Sequence, residues 1–64
     1  MKIGDNVKRI REAKNMSRKE LYLEAGISSA TLFRIENNKL KYFNPDITRK
    51  IARCLEVDVS LLIS

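Results

Sequence analysis

Between Ser17 and Ser28 the chain carries a helix start, a helix stop and a second start in close succession, in the stretch SRKELYLEAGIS. Ser17 followed three residues later by Glu20 is a capping box: the hydroxyl takes an amide of the first turn while the carboxylate reaches back to the cap's own N–H. Gly26 supplies the positive φ that a tight exit requires, and Ser28 is a fresh N-cap. Two short helices joined this closely must cross at a steep angle. Leu21 and Ala25 on the first, and Leu32 and Ile35 on the second, are the apolar anchors that hold them against a common core.

The rest of the chain follows the same helical period. No run of residues alternates strictly between apolar and polar, so strands are not expected. A first helix is expected over about 4–14, with Ile3, Val7 and Ile10 inward, Ala13 as a further candidate, and Asn15 as a left-handed stop. Met16 stands before the Ser17 cap, placed to staple over Leu21, and Ile27 plugs the core beneath the joint. The third helix should close at Glu36 or Asn37, where the Asn37-Asn38 pair tolerates the left-handed region. After a loop over 38–43, Asn44 caps a fourth helix with Pro45 at its first position, where a missing N–H is harmless, and Asp46 suits the dipole. Ile47, Ile51, Ala52 and Leu55 are its inward residues. Asp58 caps a last short helix, 59–63. The expected architecture is one all-α, five-helix domain spanning 1–64.

At 64 residues the chain is near the lower limit for a single hydrophobic core. It has no His, one Cys and no Gly-rich phosphate loop, since Gly4 and Gly26 lie far apart. Catalysis, a zinc site and a cofactor are therefore not expected. Cys54, in IARCL, reads as a reduced, half-buried small apolar residue, consistent with a reducing cytosol. No apolar run is long enough to span a bilayer and the N-terminus has no secretory h-region, so the expectation is a cytoplasmic protein without a membrane partner. The formal charge is +5 and is unevenly placed. Lys8, Arg9, Arg11, Lys14, Arg18 and Lys19 crowd residues 8–19 against Glu12 alone, whereas CLEVDVSLLIS at the end has no basic side chain. A basic front with an apolar, weakly acidic tail suits a face for polyanions backed by something else. A merely solvated basic surface is the plainer alternative.

In register along nearly the whole chain, Ile3-Gly4, the Val7-Ile10-Arg11 spacing, Ser17-x-x-Glu20-Leu21, Ala25-Gly26-Ile27-Ser28, Thr31-Leu32-x-Arg34-Ile35-Glu36, Ile51-Ala52 and Val57-x-Val59 resemble the Cro/phage-repressor (Xre-type) helix-turn-helix family of bacterial transcription regulators. The resemblance implies a compact lambda-repressor-like domain that binds double-stranded operator DNA as a homodimer. Helix 2 would lie across the backbone and helix 3, about 29–36, would enter the major groove. It implies DNA contacts from Arg18 and Lys19 at the start of helix 2, with Arg18 standing where the family usually has a phosphate-binding Gln. Further contacts are implied from Ser28, Ser29, Ala30, Thr31, Phe33 and Arg34 on helix 3, and from Asn38, Lys39 and Lys41 after it.

By their chemistry, Arg34 can grip guanine O6/N7, with a phosphate contact or a salt bridge as the alternative, and Ala30 and Phe33 can offer only apolar contact, which suits thymine methyl groups. Ser29 and Thr31 are weak readers and fit phosphate equally well. Phe33 departs from the small polar residue usual there, with packing on its own domain as the alternative, and each lysine could be a solvated charge. Tyr22 stands where a small residue is usual: either its ring slides outward or the helices open. With Leu23 it could form an exposed apolar pair. Tyr42 and Phe43 suit the core's edge better than base stacking. The resemblance also implies an ion pair between Arg11 and Glu36 that orients helix 3. Four apolar residues of the tail, Val59, Leu61, Leu62 and Ile63, exceed what one or two turns can bury, and are the expected two-fold interface; burial in the monomer core is the alternative. No small-molecule ligand is expected. The rival functional class is an antitoxin-like or adaptor module that binds protein and little DNA.

Overall fold

A computed structural model describes residues 2–40 and 44–63. Lys41, Tyr42 and Phe43 lie outside the described residues, and with them the expectations for Lys41 as a DNA contact and for the two aromatics. Five helices follow in order: α1 Ile3–Ala13, α2 Arg18–Ala25, α3 Ser29–Glu36, α4 Pro45–Leu55 and α5 Val59–Ile63.

The local signals act as their chemistry requires. Ser17 Oγ accepts from the Glu20 amide at 3.0 Å and Glu20 Oε1 accepts from the Ser17 amide at 2.9 Å, completing the capping box. Hydrogen bonding to the carboxylate from the Ser17 amide, and to a lesser degree from the Ser17 side chain, holds the Glu20 carboxyl below its ordinary value. Gly26 closes α2 at φ 71°, and Asn15 and Asn38 adopt φ 56°. Ser28 Oγ accepts from the Thr31 amide at 3.0 Å, and Asn44 Oδ1 from the Asp46 amide at 2.8 Å. Asp58 caps α5 through the Ser60 amide at 2.9 Å, which lowers its carboxyl pKa likewise. One stop has no sequence signal. Glu56 ends α4 at φ 57°, a conformation costing a side-chain-bearing residue about 1–2 kcal/mol. The accompanying bond from the Val57 amide to the Ala52 carbonyl, 3.0 Å, closes the turn.

α1 packs on α3 and α5, α2 on α3 and α4, and α4 on α5. Their shared core is Val7, Leu21, Leu32, Ile35, Ile51, Ala52, Leu55 and Leu62, with Met16, Ile27 and Cys54 half-buried against it. Each wholly buried Leu or Ile contributes about 1.5–3 kcal/mol. α1 starts at Ile3, one residue earlier than expected, and Ala13 faces solvent because the apolar stripe has turned away by then.

Two contacts tie α1 to distant chain. Asn6 is 1% exposed and donates from Nδ2 to the Leu62 carbonyl at 2.8 Å, anchoring the C-terminal helix. Gly4 lies so close to α3 that a Cβ there would stand 2.0 Å from the Ile35 carbonyl oxygen. Leu62 thereby corrects the tail expectation. It is fully buried in its own core, so it is withdrawn from the proposed two-fold interface; Val59 is half-buried, and only Leu61 and Ile63 remain exposed.

Candidate nucleic-acid interface

α3 is the element around which the site is built. Its inward face, Leu32, Ile35 and Glu36, is buried, while Ser29, Ala30, Phe33 and Arg34 face outward. Glu36 is held by Arg11 of α1: Nε donates to Oε2 at 2.7 Å and Nη2 to Oε1 at 3.1 Å. Nη1 of the same guanidinium donates to the Met16 carbonyl at 2.7 Å. Both side chains are nearly out of solvent, so this two-pronged contact fixes the C-terminal end of α3 to α1 and to the entrance of α2. Asn38 adds a second tie, donating from Nδ2 to Asp5 Oδ1 at 3.0 Å.

The outward face forms one side of an open recess of about 720 Å³ between α2 and α3. Arg18 and Tyr22 line it from α2, Ser29, Ala30, Phe33 and Arg34 from α3, and Lys39 from the segment beyond. Among the described residues no acidic side chain lines it, so Arg18, Arg34 and Lys39 give it a positive rim. The Arg18 guanidinium stands over the Phe33 ring, 5.8 Å from its centroid, within cation–π range. Phe33 is nevertheless 51% exposed, so the ring is braced on the surface and not folded into the core.

Of the sequence candidates, Arg18, Ser29, Ala30, Phe33, Arg34 and Lys39 therefore share one surface. Lys19 is exposed but does not line the recess. Ser28 and Thr31 are engaged with each other, the Ser28 hydroxyl donating to Thr31 Oγ1 at 2.7 Å, and Thr31 is half-buried. Asn38 is spent on Asp5 and lines a separate hollow with Lys2, Ile3 and Leu40. Its side chain serves the fold, which sequence spacing could not reveal.

Two residues join the site that sequence reasoning did not assign to it. Tyr22 is half-buried and walls the recess, while Leu23 beside it points to solvent at 62% exposure, so they do not form an exposed pair. Lys8 of α1 lines a neighbouring polar groove of mixed charge with Arg11, Glu12, Arg18, Phe33, Glu36 and Asn37; its place in the basic run was the available signal. Cys54 lies elsewhere. Burial and the nearby Glu24 carboxylate, accepting from its thiol at 3.3 Å, push it up to about 11, the pKa of an unreactive thiol. Among the described residues no cluster of His, Cys, Asp and Glu could hold a metal, and no helix is long and apolar enough to cross a membrane.

The helix-turn-helix family model matches residues 7–62, which takes in both helices of the joint and the core that supports them. The chain belongs to the Cro/C1-type helix-turn-helix family. Among solved structures, it is similar to a chain of the complex of SinR protein with SinI protein, at a TM-score of 0.92 and 31% sequence identity over 97% of its length. The chain spans 60% of the length of that neighbour. No curated protein sequence gives a significant match. Family and fold support a DNA-binding regulator and point away from an enzyme.

Proposed function

We propose that the protein is a sequence-specific transcriptional regulator, a repressor or autoregulator, that binds near-palindromic double-stranded operator DNA as a homodimer in the cytoplasm. The observation carrying this reading is the recess on the outer face of α3, rimmed by Arg18, Arg34 and Lys39 and lined, among the described residues, by no acidic side chain. α3 enters the major groove, Arg34 reads guanine, and Arg18, Lys19 and Ser29 approach phosphates with Lys39. The buried Arg11–Glu36 pair keeps α3 at a constant angle to α1. Leu61 and Ile63, 51% and 63% exposed at the end of α5, are the apolar residues available for a two-fold contact. Such a dimer sets two recognition helices about 34 Å apart.

Selection of bound sequences from a random duplex pool tests this reading. The expected result is a near-palindrome with half-sites about one turn apart, bound with a steep salt dependence. Failure to enrich any duplex overturns it, and sedimentation as a monomer at tens of micromolar removes the dimer.

A second reading is favoured by the solved neighbour having been captured with a protein partner, SinI. The exposed Leu23, Leu61 and Ile63 would serve an adaptor or antitoxin-like module equally well. Weak DNA affinity without salt dependence would select that reading.

A further inference from the structure

The recess beside α3 contains a side chain whose chemistry is out of place on a polar DNA-facing surface. Phe33 exposes half its surface among Ser29, Arg34 and Lys39, and its ring has no atom that can satisfy a base nitrogen or oxygen. The major groove offers one apolar group to such a ring, the methyl on C5 of a pyrimidine. Ala30, one turn before Phe33 on the same face, keeps the approach open because its side chain is a single methyl. Tyr22 supplies the opposite wall from α2. The cationic rim complements a polyanion, which selects nucleic acid over an apolar peptide as the occupant.

We infer that this recess receives the C5-methyl group of a major-groove pyrimidine, with Phe33 as its reader and Arg18 as the residue that positions the Phe33 ring. Arg18 acts through the ring because its guanidinium stands over one face, 5.8 Å from the centroid, and leaves the remaining surface of the ring to meet the base. The methyl is that of thymine or of 5-methylcytosine, which present the same group at the same atom. This inference rests on the reading of the protein as a duplex-DNA binder.

The test uses a duplex retained by the wild-type protein from a random pool. Each thymine is replaced in turn by deoxyuridine, which removes only the methyl, and each cytosine by 5-methylcytosine, which only adds one. A thymine site is expected to show as one position per half-site where deoxyuridine weakens binding about fourfold, the effect of one buried methyl. A 5-methylcytosine site shows as a position where methylation tightens binding by the same factor. Phe33→Ala should abolish this methyl discrimination while its melting temperature stays at the wild-type value, since the ring is half exposed. Arg18→Gln should reduce the methyl ratio as well as overall affinity; a phosphate contact alone would lower affinity equally for both duplexes and would overturn the positioning role. Duplexes bound tightly but indifferent to every methyl, or discrimination that survives Phe33→Ala, overturn the pocket and leave DNA binding intact. A pool from which no duplex is retained overturns both.

Discussion

The two faces of α3 are made from the same eight residues and obey opposite rules. Inward, Leu32 and Ile35 meet the core, Glu36 is clamped by Arg11, and the helix backbone rides against Gly4 without room for a single added carbon. Outward, Ser29, Ala30, Phe33 and Arg34 face solvent along one side of a recess, opposite Arg18 and Tyr22 of α2, and the described ion pairs leave Arg34 uncommitted to any acidic side chain. The difference separates placement from recognition. The inner face fixes where the helix stands, so its changes should be read in stability. The outer face bears little of the fold, so its changes should be read in binding.

The largest break in that division should come from Arg11→Ala. It strands the Glu36 carboxylate, 3% exposed at its side chain, without its partner. The expected loss is about 3–5 kcal/mol, which for so small a domain lowers the melting temperature by tens of degrees. The double change Arg11→Met with Glu36→Leu should recover most of the stability, because an apolar pair avoids the stranded charge. An unchanged melting temperature in Arg11→Ala would show that the pair does not support the fold.

Gly4→Ala comes next. Alanine ordinarily gains stability over glycine within a helix, and Gly4 stands in the first turn of α1. Here the added Cβ meets the Ile35 carbonyl oxygen at 2.0 Å, which forces α1 and α3 apart, and the expected result is a loss of about 1–3 kcal/mol by thermal melting. A gain would mean that the two helices are free to separate.

Arg34→Ala sharpens the comparison from the other side. Its expected cost is about 1–3 kcal/mol of operator affinity with relaxed choice at one base pair, and no change in melting temperature. Loss of stability here would blur the line between the two faces.

The smallest effect concerns the start of α2. The hydrogen bonds from Ser17 lower the Glu20 carboxyl from its ordinary 4.5, so the folded state holds that proton less tightly than the unfolded chain does. Its stabilising contribution is present above about pH 4.5 and fades as acid protonates the carboxyl below that value. Glu20→Gln should flatten this part of the acid-melting profile and leave the neutral side nearly unchanged. An identical acid limb in both proteins would remove the capping box from the stability account.

The residues legible in advance were those whose signals are local. Ser17 with Glu20, Gly26, Ser28, Asn44 with Pro45, and Asp58 each act within three residues of themselves, and each helix end they mark is where the structure has it. The helical period likewise located Val7, Leu21, Leu32, Ile35, Ile51 and Leu55 in the core. Glu56 is the exception that explains the rule. Its left-handed backbone is imposed by the turn into α5, and nothing in a glutamate announces it.

Caps, stops and apolar periodicity are properties of neighbouring residues, so the five helices, every joint but the Glu56 turn, and the family resemblance could be read along the chain. Helix packing set what those helices bring together across long separations. It set Asn6 against the Leu62 carbonyl, took Leu62 inside while leaving Leu61 and Ile63 outside, and gave the Asn38 side chain to Asp5. It also turned Tyr22 into a wall of the recess and stood Arg18 over Phe33. Each of these depends on the angles and separations at which whole helices pack, quantities set by the summed fit of the core and written in no single stretch of chain.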